Sequence, residues 1–133
     1  MRLFKFRAWD KVNSNMLYDV ATGSITIWDY SKLPGSEERS AKSDDCVFQQ
    51  FTGLKDKNGK EIYEGDIVRM FVMDTTPMPL DIVTSVIFYE GMFVVFTLDG
   101  EPLSLRDAIK ISNDTGLGLE VISNIWENPD LIN

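Results

Sequence analysis

Histidine is absent from this 133-residue chain, and cysteine occurs once, at Cys46. The first absence excludes Ser-His-Asp and Cys-His catalysis, a histidine general base and most zinc sites, because each needs an imidazole. The second excludes an intramolecular disulfide. Cys46 follows Asp44 and Asp45, whose charges disfavour the thiolate, so it reads as a structural residue and not a nucleophile. No apolar run reaches the roughly 18 residues that a membrane helix needs. The opening Met1–Arg7 alternates charged and apolar residues, whereas a signal peptide has a continuous apolar core. No Gly-x-x-x-x-Gly-Lys-Ser/Thr run is present, so no phosphate-cradling loop of that type is expected. These exclusions lead to the expectation of a cytoplasmic protein that is not an enzyme and holds no cofactor or metal.

Positive charge is scarce in the second half. Residues 1–60 hold ten Lys/Arg against eight Asp/Glu, a balance of +2, and residues 61–133 hold three against thirteen, a balance of −10. An acidic half repels polyphosphate, since affinity for nucleic acid comes mainly from Lys and Arg on phosphates. The basic residues gather at the start, with Arg2, Lys5, Arg7 and Lys11 against Asp10. Such a bipolar chain suits contacts between opposite poles of neighbouring copies, so a homo-oligomer is expected.

The pattern is mostly strand. Leu3–Trp9 alternates, with Phe4, Phe6 and Ala8 on one face and Lys5, Arg7 and Trp9 on the other, which reads as a half-buried strand. Asn13-Ser14-Asn15 is a turn signal, and Met16–Val20 completes a hairpin. Ser24–Tyr30 alternates as a further strand. Residues 31–45 have only Leu33 and Ala41 as apolar members and read as a mobile loop, with 33–44 its most mobile part. Asp56-Lys57-Asn58-Gly59 and Glu64-Gly65-Asp66 are turns. In the second, the Asp66 carboxylate is placed to accept backbone N–H groups and start the next strand, Ile67–Val72. Ile82–Tyr89 and Met92–Leu98, separated by Glu90-Gly91, form the clearest hairpin. Both arms are almost continuously apolar, so both faces are expected to be covered. Leu105, Ala108 and Ile109 fit one or two helical turns or a strand, and Leu119–Trp126 reads as the last strand.

Many short strands joined by glycine turns predict a mainly β chain, with a small barrel in the second half and N-terminal strands packed on it. Tyr63–Arg69 followed by the Val86–Phe96 hairpin resembles the opening of an SH3-like barrel. The expected division is a β-hairpin region with a mobile loop at 1–45 and a barrel domain at 46–133.

Three blocks carry a family resemblance. They are Lys5-Phe-Arg-Ala-Trp-Asp10, the long run from Phe51 through Asp56-Lys-Asn-Gly59 and Tyr63-Glu-Gly-Asp66 to Val68, and Ile122-Ser-Asn-Ile-Trp-Glu-Asn-Pro129. Their order and content resemble the YopX family of phage and prophage proteins. Ser123-Asn124 stands where that family usually has Gly-Asn. The resemblance implies an SH3-like barrel wrapped by N-terminal strands and a bacterial or phage origin. It implies no activity and transfers no functional residue.

Candidate sites are few. Asp56-x-Asn58-Gly59 mimics the middle of a calcium loop, but aligning Gly59 with that loop's glycine puts Leu54 and Gly65 where oxygen ligands belong. Glu61, Glu64 and Asp66 near Asp56 form a carboxylate group that could divide acid and base roles, yet Lys55, Lys57 and Lys60 interleave with them, as at a solvated turn. Trp9, Trp28, Tyr30, Tyr63 and Trp126 are either core or a stacking platform. Trp9 on a half-exposed face with Lys5 and Arg7 suits a partner contact or a subunit contact. Arg2, Lys5, Arg7 and Trp9 are therefore the contact residues singled out. The expected function is that of a phage accessory protein working through protein contacts or self-assembly. The alternative is a small barrel that binds nucleic acid through its basic N-terminal strand.

Overall fold

The computed structural model describes residues 5–18, 20, 26–28, 40–42, 45–73 and 77–132. The chain is mainly β. It divides into two compact units, Met1–Phe51 and Thr52–Asn133, and the division falls inside one strand. Among the described residues no helix is long and apolar enough to cross a membrane.

In the first unit, β1 (Phe6–Asp10) and β2 (Asn15–Tyr18) form the expected antiparallel hairpin, with Arg7 opposite Tyr18 and Asp10 opposite Asn15. The turn is fastened by Asp10. Its Oδ1 accepts the N–H groups of Val12 (3.0 Å) and Asn13 (3.2 Å), its Oδ2 accepts the Asn13 amide (2.7 Å), and its carbonyl accepts the Ser14 N–H (2.8 Å). These bonds offer the backbone a local turn in place of further ladder. β3 (Thr26–Trp28) pairs antiparallel with β4 (Ser40–Lys42). The rest of the segment expected to be mobile, 33–39 and 43–44, lies outside the described residues. β5 (Cys46–Lys55) begins in this unit and pairs with the other side of β1, Arg7 opposite Gln49. Ala8 and Leu17 form the small core, with Val20, Cys46 and Phe48 against them.

β1 lies between β2 and β5, so both its edges are paired. Arg7, Ala8, Trp9 and Asp10 are all buried. The alternating pattern of this segment suggested a half-buried strand, and the structure corrects that reading: the polar face of β1 is also interior.

In the second unit the end of β5 is followed by β6 (Glu61–Tyr63), whose Ile62 carbonyl accepts the Thr52 hydroxyl at 2.7 Å. β7 (Asp66–Val72) is the centre of a second sheet. It pairs with β8 (Leu80–Ser85) on one side and with β12 (Glu120–Asn124) on the other, both antiparallel. The β12 ladder slips at Ile122, between Val121 and Ser123. A third sheet has the order β11-β10-β9, formed by β9 (Ile87–Tyr89), β10 (Met92–Phe96) and β11 (Pro102–Ser104). Among the described residues the span 62–98 thus holds antiparallel strands and no helix, as its three apolar runs predicted.

Only Val86 separates β8 from β9. Its N–H donates to the Asp66 carbonyl (2.9 Å) and its carbonyl accepts the Gly65 N–H (2.8 Å). The chain here leaves one sheet and enters the next at a single residue, which is how a small sheet curls without a loop.

Helix α1 (Leu105–Asp114) follows β11 directly. Ser104 caps it, its hydroxyl accepting the Asp107 N–H at 3.1 Å. The helix is longer than the one or two turns expected, because its third turn, Ile111–Asp114, is largely polar. Leu105, Ala108 and Ser112 face inward. Ser112 is fully buried, and its hydroxyl accepts the Phe71 N–H of β7 at 3.1 Å. The core joins Ile62, Val68, Met70, Ile82, Val86, Val95, Leu105, Ala108, Leu119 and Val121. A short 3-10 turn at Pro129–Ile132 ends the described chain.

Candidate functional site

The residues singled out at the N-terminus do not assemble into an open face in the described structure. Arg2 lies outside the described residues. Lys5 is half-buried, its ammonium 5.3 Å from the centre of the Phe51 ring. Arg7 is only 2% exposed, and its Nε donates to Gln49 Oε1 at 2.6 Å. Trp9 is 8% exposed, so the half-exposed indole expected from the alternation is instead an interior side chain. A buried guanidinium needs a partner in reach, and the direct register of Arg7 with Gln49 supplies one. The wider aromatic group is likewise no platform among the described residues. Tyr63 is buried, Trp126 is half-buried, and the side chain of Trp28 and all of Tyr30 lie outside the description.

The carboxylates of the middle turns are engaged by the backbone. Asp56 Oδ1 accepts the N–H groups of Asn58 (2.8 Å) and Lys60 (2.9 Å), while its Oδ2 accepts the Val121 N–H (2.9 Å). Asp66 Oδ2 accepts the Tyr63 N–H at 2.8 Å, the role read for it from the turn. Both side chains are buried. Carboxylates filled by main-chain donors hold turns and strand starts. Among the described residues no three Asp, Glu or Cys side chains converge as a metal-sized group. The Cys46 thiol is pushed up first by burial, then by the charges of Asp10 and Asp45, against a smaller opposing effect of Lys11.

Among the described residues, an exposed apolar cluster lies at the β9–β10 hairpin. Phe88 is 52% exposed, Tyr89 41% and Met92 47%. Glu90 and Gly91 both adopt positive φ, 49° and 84°, the two-residue turn whose twist suits a tight hairpin. Phe88 stands opposite Phe93, and Tyr89 opposite Met92. The rings meet edge to face in two pairs, Phe88–Phe93 at 5.2 Å and Tyr89–Phe96 at 5.7 Å between centres. One pair lies on each face of the ribbon, since neighbouring strand residues point to opposite sides.

This surface was missed at the level of sequence. A continuously apolar strand implies that both faces are covered. Val86, Val94 and Val95 satisfy that expectation, but Phe88, Tyr89 and Met92 extend past the core into solvent. The signal that could have shown it is the turn itself: residues next to a two-residue turn lie farthest from the sheet they grow from. Aromatic residues and methionine are enriched where proteins touch one another.

The sequence running through the hairpin is acidic, and the nearest cations along the chain are Arg69 before it and Arg106 and Lys110 in α1 after it. From Met70 to Leu105 the chain has no Lys or Arg and five carboxylates, Asp74, Asp81, Glu90, Asp99 and Glu101. Asp81 is held by Arg69, the residue just before this stretch, in a two-pronged ion pair. That bond, then the guanidinium charge, keeps the Asp81 carboxyl below the ordinary carboxylate range.

No curated protein matches the chain. Among solved structures it is similar to protein EF1440 from Enterococcus faecalis, with 29% identity, a TM-score of 0.66 and all of both chains covered. It is also similar to YopX from Bacillus subtilis, with 20% identity, a TM-score of 0.60, and 97% of this chain and 98% of that one covered. The family model described as YopX protein matches residues 5–133. The three sequence blocks at the start, middle and end of the chain therefore belong to one continuous match, and the chain is a member of the YopX family.

Proposed function

We propose that this protein is a non-enzymatic contact protein whose binding surface is the β9–β10 hairpin. The observation that carries the reading is the trio Phe88, Tyr89 and Met92, each between 41% and 52% exposed, on a hairpin whose base is core. Isolated apolar surface residues are ordinary, but a cluster of two aromatics and a methionine at one turn is what protein interfaces use. We read the second unit as a small SH3-like barrel that displays this hairpin, and the chain as a phage or prophage accessory protein acting in the bacterial cytoplasm.

The placement of Arg7 weakens two other readings. A buried guanidinium bonded to Gln49 is not offered to phosphate, which takes support from a nucleic-acid-binding N-terminal strand. The same burial removes one cation from the basic pole that motivated head-to-tail assembly with the acidic half of a neighbour.

The test places a photo-reactive amino acid at Met92 and illuminates the protein in bacterial cells. A discrete protein adduct is expected, and it should vanish when Phe88→Ser is added. Removing that ring loses one edge-to-face contact, about 1 kcal/mol, so the fold survives. Absence of any adduct, or an adduct indifferent to Phe88→Ser, would overturn the reading. A salt-sensitive gel shift with DNA that depends on Lys5 would favour nucleic-acid binding instead.

A further inference from the structure

The hairpin offers a strand edge as well as side chains. β9 is an outer strand of its sheet. In a hairpin with a two-residue turn, the residues flanking the turn exchange both main-chain bonds, and pairing then alternates. Tyr89 and Ile87 thus bond to β10, while the N–H and C=O of Phe88 point away from it. Two residues earlier, the corresponding groups of Val86 are bonded to Gly65 and Asp66. Phe88 therefore continues the line of pairing beyond the start of β7.

Two other edges of this unit are blunted. On β12, the Val121 N–H is taken by the Asp56 carboxylate and the Leu119 carbonyl by the Lys57 N–H (2.9 Å). β11 starts with an exposed proline, Pro102, which has no N–H to give. β9 has no lysine, proline or bulge, the usual means of closing an edge. It carries instead two exposed aromatics, with Glu90 beside them.

We infer that β9 accepts an extended, cationic segment of another protein as an added strand, with Phe88 supplying the main-chain bonds. The choice of occupant follows from charge. The 36 residues from Met70 to Leu105 contain no cation and five carboxylates, so a second copy would bring like charge to like, whereas Arg or Lys would be attracted. Strand addition draws affinity from the main chain and specificity from alternate side chains. Apolar residues of the incoming segment meet the Phe88–Phe93 pair on one face. On the other, an arginine can lie over Tyr89 and Phe96. The inference rests on the hairpin being the contact surface and adds the class of partner.

The experiment uses the whole chain labelled with ¹⁵N. The probe is an acetylated, amidated heptapeptide alternating arginine with valine, and the control has glutamate in place of arginine. The arginine peptide should move the amide signals of Phe88, Tyr89 and Met92 and slow exchange of the Phe88 N–H. Glu90→Lys and Phe88→Ser should each weaken binding about tenfold, a loss typical of a central contact. Glu90→Lys lies outside the packed residues and keeps the test open if Phe88→Ser does not fold. Equal binding of the glutamate peptide, shifts centred on the 55–60 turn, or no binding by a folded chain would each overturn the inference. So would a dimer in light scattering that Phe88→Ser dissolves, since the occupant would then be a second copy. A Met92 adduct without any peptide response leaves the contact surface standing and removes strand addition. Absence of the adduct removes the surface itself.

Discussion

Asp56 and Val121 are 65 positions apart in the chain, and the Asp56 carboxylate accepts the Val121 N–H at 2.9 Å. The same carboxylate accepts two N–H groups of its own turn. One buried side chain thus holds a turn closed and ties it to the strand β12. Asp56→Ala strands the Val121 N–H in the interior, and a buried donor that loses a charged acceptor costs about 3 kcal/mol. Asp56→Asn should cost less, because the amide oxygen still accepts on one side. Urea unfolding of both variants checks the ranking, and equal losses would show that the bonds kept by the amide oxygen add nothing.

Gly118 and Gly116 both follow α1 with positive φ, 76° and 84°. A Cβ at Gly116 meets open space, but one at Gly118 would sit 3.0 Å from the Lys57 Cβ. Gly116→Ala should lose only the backbone term, about 1–2 kcal/mol. Gly118→Ala should lose more, and it should loosen the 56–60 turn as well. Thermal melts rank the two, and hydrogen exchange at the Lys57 N–H reads the second effect.

The Arg69–Asp81 pair has a defined sign. Asp81 is lowered chiefly by the hydrogen bond from Arg69 and then by its charge. Its contribution is therefore present above the unfolded carboxyl pKa, near 3.9, and is lost as pH falls through the lower folded value. The pair is exposed, so its effect is small and screened by salt. Stability of wild type and Asp81→Asn should differ at neutral pH and converge in acid. A gap that persists in acid would show that Asp81 acts through packing.

Cys46 should be a slow thiol. Burial and the charges of Asp10 and Asp45 raise its pKa, and only the thiolate attacks electrophiles. Iodoacetamide at neutral pH should modify it more slowly than free cysteine. Asp10→Asn should speed the reaction, provided a circular dichroism spectrum shows the turn intact. An Asp10 variant that folds and reacts no faster would leave burial and the Asp45 charge as the causes.

How far the sequence discloses this molecule depends on the range of each interaction. Glu90-Gly91 and Asn13-Ser14-Asn15 declare hairpins because a turn is chosen by adjacent residues. Asp66 declares its role for the same reason, bonding three residues away. The burial of Arg7 is invisible in the sequence, because its partner Gln49 is 42 positions off and alternation does not disclose what packs over each face. The length of α1 is hidden by Ser112, a polar residue that faces inward to bond β7. The exposed hairpin tip is hidden by the reverse: an apolar run looks the same whether its end is covered or reaches solvent. The family blocks name the fold's relatives, but the surface proposed for function lies between the middle and last of them.

The pairing of β7 with β12 also sets a clock. β7 ends at Val72, yet its second neighbour starts only at Glu120. A ribosome adds roughly 5–20 residues per second, so the interval is on the order of seconds. For that time a nascent chain holds β7 paired with β8 alone, and the Asp56 carboxylate waits for the Val121 N–H. During synthesis the vulnerable edge is thus β7, a strand that the finished protein closes on both sides. An aggregation-prone window should therefore close when residue 121 leaves the exit tunnel, and slow codons between 73 and 120 would widen it.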